Sequence, residues 1–121
     1  MSSTLGSAGF ATSGGAPYNS VKMNTYHYST STTSANINYI ATIIAHELGH
    51  CIGFRHTDYM NCSYSSGTGG NEGQSTTGVG AVRIPGTPTG PDSGSWMLAC
   101  IGNGVNRYFN ANDRTALAYV Y

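Results

Sequence analysis

Three observations predict an α+β domain. Two segments with strand-like residues flank a Gly- and Pro-containing turn. A longer segment repeats its apolar residues at helical spacing, and a second helix start lies near the C-terminus. With 121 residues and no repeat or linker, residues 1–121 are expected to form a single domain.

The strand-like segments are Thr4 to Thr12 (TLGSAGFAT) and Ser20 to Tyr28 (SVKMNTYHY), joined through Ser13-Gly14-Gly15-Ala16-Pro17. Val21, Met23 and Thr25 alternate with Lys22, Asn24 and Tyr26, the period of two that suits a sheet with one buried face. Ser29 to Ser34 forms a hydroxyl-rich loop before the long helix. In that helix Ile37, Ile40, Ile44, Leu48 and Ile52 recur at steps of three or four, which predicts an inward apolar stripe. Ser34 or Asn36 can cap its start, and Gly53 can stop it in the left-handed conformation. From Asp58 to Pro91 the chain is rich in Gly, Ser and Thr and is expected to be irregular, apart from a short apolar piece at Val79 to Ile84. Asn112-Asp113 offers a cap and an acidic first turn for a closing helix through Ala116, Leu117, Val120 and Tyr121.

Charge narrows the function. Five basic and five acidic residues leave no net charge, and only 8% of the chain is charged. This lacks the basic footprint of a nucleic-acid binder. No apolar stretch approaches the roughly 20 residues of a membrane span. The first residues carry neither a charged nor an apolar leader region, so the chain reads as lacking a signal peptide while remaining compatible with the mature part of a secreted protein. Three cysteines, Cys51, Cys62 and Cys100, allow one bridge and one free thiol, or three buried thiols. A Cys62–Cys100 pair would tie two loops together and favour an oxidising compartment.

Three of the four histidines stand in one run, His46-Glu47-Leu48-Gly49-His50-Cys51-Ile52-Gly53-Phe54-Arg55-His56, of the form H-E-x-x-H-x-x-G-x-x-H. His46 and His50 are one helical turn apart and can share an ion. Gly53 lets the chain leave the helix sharply and return His56 as a third nitrogen ligand. Three neutral nitrogens leave a fourth zinc position open, the arrangement of catalytic sites. Glu47 adjoins the first ligand, where its carboxylate can reach an activated water without binding the metal. His27 lies outside this array and reads as a surface or sheet residue. Cys51 points about 100° from His50 and reads as packing. Asp58 is expected to be a buried carboxylate paired with Arg55 or a backbone amide, in preference to a metal ligand.

The extended motif resembles the metzincin zinc endopeptidases, and most nearly their bacterial dual-action HEIGH metallopeptidase family. The similarity runs from about Leu5 onward. It rests on His46 to Asp58, Ile84-Pro85-Gly86-Thr87-Pro88, Ser95-Trp96-Met97-Leu98 and Phe109 to Leu117. It implies a metzincin-like (zincin) catalytic domain with an edge β-hairpin, an active-site helix, a long loop carrying a methionine turn, and a C-terminal helix. Met97, 41 positions after His56, is the turn methionine on this resemblance, packed under the histidines. Ala99 stands where some metzincins place a tyrosine. The resemblance also implies preceding strands and a long helix, so the domain is expected to be partial, and it implies a secreted protein.

The function expected is zinc-dependent hydrolysis of peptide bonds, with one catalytic Zn2+ held by His46, His50 and His56 and with Glu47 as general base and then acid. On the resemblance, a peptide or protein substrate would lie extended beside Leu5 to Phe10, with Ile84 to Pro88 walling the pocket. The alternative is a zinc-stabilised but inactive fragment or binding module. A surface adhesin, suggested by the Gly, Ser, Thr and Tyr content, leaves the histidine array unexplained.

Overall fold

The computed structural model describes residues 4–29, 31–65, 69–70, 72–73, 80–102 and 104–121. Its elements are β1 (Gly6–Ala8), β2 (Val21–Met23), a 3-10 turn (Thr25–His27), α1 (Ser34–Cys51) and α2 (Ala111–Val120), a small α+β assembly. The chain divides into two compact units, Met1–Phe54 with Asn103–Asn106, and Arg55–Gly102 with Arg107–Tyr121. No helix among the described residues is long and apolar enough to cross a membrane.

In the first unit β1 and β2 pair antiparallel, Gly6 with Met23, Ser7 with Lys22 and Ala8 with Val21. Both strands are shorter than the nine-residue segments expected. Beyond Ala8 the chain commits to a turn, in which Thr12 N donates to Ala16 O and Gly15 N to Thr12 O, with Gly15 at φ 85°. Past Met23 the Asn24 side chain accepts from Tyr26 N and draws Thr25–His27 into the 3-10 turn. A local side-chain bond here overrides strand alternation.

The α1 helix packs against both strands, though by a different face from the one the apolar stripe predicted. Tyr39, Thr42, Ile43, Glu47, His50 and Cys51 are buried, whereas Ile37 and Leu48 are 53% and 51% exposed and Ile44 is also exposed. Thr42 Oγ1 lies 2.9 Å from both Asn38 O and Asn106 Oδ1, which satisfies an inward hydroxyl. Tyr39 meets Tyr28 edge to face at 6.3 Å between ring centroids.

The cap of α1 is Thr33, whose hydroxyl accepts from Asn36 N, in place of the expected Ser34 or Asn36. Asn36 instead turns its amide to Ser29 O and Ser31 O and pins the preceding loop. At the other end Gly53, at φ 105°, donates to His50 O, and Phe54 N donates to Gly49 O. This pair of bonds is a Schellman stop and reverses the chain within two residues of the helix.

In the second unit a disulfide joins Cys62 to Cys100, with Cα atoms 5.0 Å apart, resolving the cysteine alternatives and leaving Cys51 as a buried free thiol. Asp58 is completely buried. Its carboxylate accepts from Met60 N, Ser63 N and Ala99 N. Asp113 is the second buried carboxylate, accepting from Ser95 Oγ, Trp96 N and Asn110 N. Between these anchors Ser95, Trp96, Met97 and Leu98 are all buried, with Trp96 edge-on to Phe109 at 4.6 Å.

Asn110 caps α2, and Asp113 N donates to its side chain in a reciprocal capping box. The expected cap, Asn112, donates its amide to Asp92, as does Asn110. Although burial alone would raise the Asp92 pKa, these two amides and Gly94 N hold it below the ordinary value. Of the expected apolar piece at Val79 to Ile84, Val79 lies outside the described residues. Ala81 forms a single bridge, its N donating to Gly73 O, while Val82 is exposed.

Candidate metal centre

The site grows out of the α1 terminus. His46 and His50 sit one turn apart, and their rings meet edge to face with centroids 4.8 Å apart. Because the Schellman stop folds Phe54 back, the Phe54 carbonyl comes 2.8 Å from His50 Nδ1. A carbonyl only accepts, so Nδ1 carries the proton and Nε2 keeps its lone pair. Phe10 packs edge-on to the same ring at 5.3 Å.

Glu47 faces inward from α1 and is only 6% exposed. Its side chain presses on β1 so closely that a Cβ on Gly6 would stand 3.0 Å from both Glu47 Cγ and Oε1. Gly6 is therefore the residue type that leaves room for this carboxylate. Burial disfavours the charged form and pushes the Glu47 carboxyl from 4.5 up to about 7. Tyr28 is pushed up to about 12 by burial, with the neighbouring Tyr39 and Glu47 adding to the shift.

His56 lies two residues past the reversal. Glu72 Oε2 accepts from His56 N at 3.0 Å and lies 3.4 Å from His56 Nδ1, while Oε1 is 3.5 Å from Arg55 Nη1. Along the continuous run His46–His56, the three imidazoles offer ligand atoms all within 4.8 Å of one another. The donor set fits a zinc-type ion. Three imidazoles suit a borderline cation, whereas calcium and magnesium take oxygen ligands.

The structure thus brings together His46, His50 and His56, with Glu47 on the same helix. His27 stands apart in the 3-10 turn, edge-on to Tyr26. Cys51 is buried with its thiol 3.9 Å from Ser20 O, outside the histidine group. Asp58 spends its carboxylate on backbone amides, one of the two partners foreseen, while Arg55 reaches Glu72. Met97 is buried in the second unit, its N–H donating to Ser95 Oγ.

Sequence reasoning missed Glu72. It lies 16 positions beyond His56 in a Gly- and Ser-rich stretch without periodicity. The available signal was its rarity, as one of five acidic residues in the chain.

A family model described as dual-action HEIGH metallo-peptidase matches residues 1–121. No curated protein and no solved structure matches the chain.

Proposed function

The chain belongs to the dual-action HEIGH metallo-peptidase family, and on that premise we propose that it is a zinc-dependent endopeptidase of metzincin type. His46, His50 and His56 hold the ion, and Glu47 is the catalytic carboxylate. The observation that carries this reading is the gathering of three imidazoles along a run that also holds a buried carboxyl group.

A zinc ion bound there supplies Lewis acidity, polarising the scissile carbonyl and making a water acidic near neutral pH. Glu47 accepts the proton from the attacking water and delivers it to the leaving amine. Its burial suits the second half of that task, because a carboxyl group with a raised pKa holds a proton long enough to give it away. The Phe54 carbonyl keeps the His50 ring oriented throughout.

The peptide lies extended along β1, from Leu5 to Phe10, adding a strand through backbone hydrogen bonds. Two features support this placement. Among the described residues β1 pairs only with β2, and a Cβ at its Gly6 would stand 3.0 Å from the Glu47 side chain. Met97 is the turn methionine, a packing residue. The Cys62–Cys100 bridge supports a secreted protein, since such bonds persist in oxidising compartments.

Metal analysis of the purified chain, with casein digestion in the presence and absence of chelator, tests the reading. About one zinc per chain and chelator-sensitive cleavage are expected. Glu47→Ala should keep the zinc and lose at least about 100-fold in turnover, the scale of a general acid–base contribution. Undiminished cleavage by Glu47→Ala would remove this residue from the mechanism. Zinc bound without any cleavage by the wild type would favour an inactive binding module.

A further inference from the structure

The histidines His50 and His56 are held from behind by different chemistry. The partner of His50 is a neutral carbonyl, supplied by the helix stop itself. The partner of His56 is a carboxylate brought from 16 residues away. The Glu72 side chain is 7% exposed, so its position costs desolvation that has to be offset by specific contacts. It has three. Oε2 takes the His56 backbone N–H and lies beside the ring Nδ1, Oε1 faces the Arg55 guanidinium, and the Glu72 backbone N donates to Tyr59 O, fastening the residue to the loop that follows His56.

We propose that Glu72 is the positioning residue for the third metal ligand, a buried carboxylate that fixes the place and tautomer of His56 and thereby sets the metal affinity of the site. The inference rests on the reading of His56 as a ligand. One carboxylate oxygen accepts the His56 backbone N–H and stands 3.4 Å from the buried Nδ1, an ion-pair contact without hydrogen-bond geometry. A carboxylate at that distance favours the proton on Nδ1 over Nε2, which leaves Nε2 for the ion. The negative charge also makes the imidazole a stronger donor, an effect the carbonyl behind His50 produces less strongly. Arg55 Nη1, 3.5 Å from the other oxygen, partly balances the charge and holds the carboxylate from its far side.

Two variants separate position from charge. Glu72→Gln preserves side-chain length and an oxygen for the His56 N–H but removes the charge beside Nδ1, whereas Glu72→Ala removes both. The readouts are zinc affinity by chelator competition, the visible spectrum of the cobalt(II)-loaded full chain, and thermal unfolding of the metal-free protein. Glu72→Ala is expected to weaken zinc binding about 10- to 100-fold, the range typical of second partners of ligating histidines. Glu72→Gln is expected to lose about 10-fold, with a shifted cobalt spectrum and an unfolding midpoint close to wild type. Wild-type affinity and an unchanged cobalt spectrum in Glu72→Gln would overturn the proposal, as would affinity losses that merely follow thermal stability across the two variants. A wild-type chain that binds neither zinc nor cobalt would sink the metal-site reading itself and this proposal with it, an outcome distinct from a failure confined to the variants.

Discussion

The two units satisfy their backbones by different means. In Met1–Phe54 the work is done by regular structure: an 18-residue helix, a three-pair hairpin, and backbone bonds such as Tyr18 N to Cys51 O that tie loop to helix. In the second unit α2 is the one helix among the described residues, and the loops before it close on two buried aspartates, each accepting three hydrogen bonds. The loop around Asp58 also holds Tyr59, Met60 and Cys62 at positive φ, with φ values of 52°, 68° and 56°. Each such residue costs about 1–2 kcal/mol where no glycine relieves it. A chain that cannot pair its amides with its own carbonyls can still pay for burial by converging them on a carboxylate, because hydrogen bonds to charged acceptors are about twice as strong as neutral ones. The first unit rests mainly on the backbone bonds of its helix and hairpin, with side-chain bonds from Thr12, Asn24 and Asn36 at the turns. The second concentrates its stability in a few groups.

The largest expected effect follows from that concentration. The Cys62–Cys100 bridge closes a separation of 38 residues, for which chain entropy predicts a contribution of about 4 kcal/mol. Urea unfolding with and without reductant measures it. Amide hydrogen exchange shows where the loss falls. Faster exchange at Asn61, Ser63 and Ala99, with α1 amides little changed, upholds the contrast between the units. Equal acceleration in α1 would mean that they open as one cooperative body.

Next in size is Asp58→Ala. It orphans three backbone amides around a fully buried position, and a cost of about 3 kcal/mol is expected from the desolvated donors alone. Asp58→Asn keeps acceptor oxygen on one side and should cost roughly half as much by the same reasoning. Thermal unfolding of the two variants gives the comparison. If Asp58→Ala is nearly neutral, the buried carboxylate is not what closes this loop.

This difference between the units also explains what could be read from the residues. The α1 helix and its stop were legible because helical spacing and Gly53 are local signals, and the histidine run was legible because a metal fixes ligand spacing within one turn and one reversal. The disulfide pair was open between two readings, since spacing alone does not choose a partner. Glu72 was illegible because its relation to His56 depends on the path of an irregular loop. The caps were each displaced: Thr33 and Asn110 hold the positions expected of Ser34 or Asn36 and of Asn112, and the latter side chains serve neighbouring loops instead. The strands were overestimated because Asn24 and Thr12 form local side-chain bonds that compete with pairing.

The inward face of α1 is the sharpest discrepancy, and it yields the finest test. Counting apolar residues selects Ile37, Ile40, Ile44, Leu48 and Ile52, yet Ile37, Ile44 and Leu48 are exposed and Ile40 and Ile52 only half-buried, while the buried side carries Thr42, Glu47 and His50 among Tyr39, Ile43 and Cys51. Periodicity located the helix but misassigned its phase, since the residues that carry the proposed chemistry are polar and must face inward all the same. Adjacent isoleucines on this helix should therefore behave as opposites. Ile43→Ala removes a side chain that is 4% exposed and is expected to cost about 2 kcal/mol or more. Ile44→Ala removes one that is 38% exposed, loses little burial and gains helix propensity, so a change of about 0.5 kcal/mol or less is expected. Equilibrium unfolding of both variants under one set of conditions decides the phase of the helix. Equal costs would place Ile44 against a surface, and a reversed order would turn Glu47 away from β1 and His50 away from Phe10.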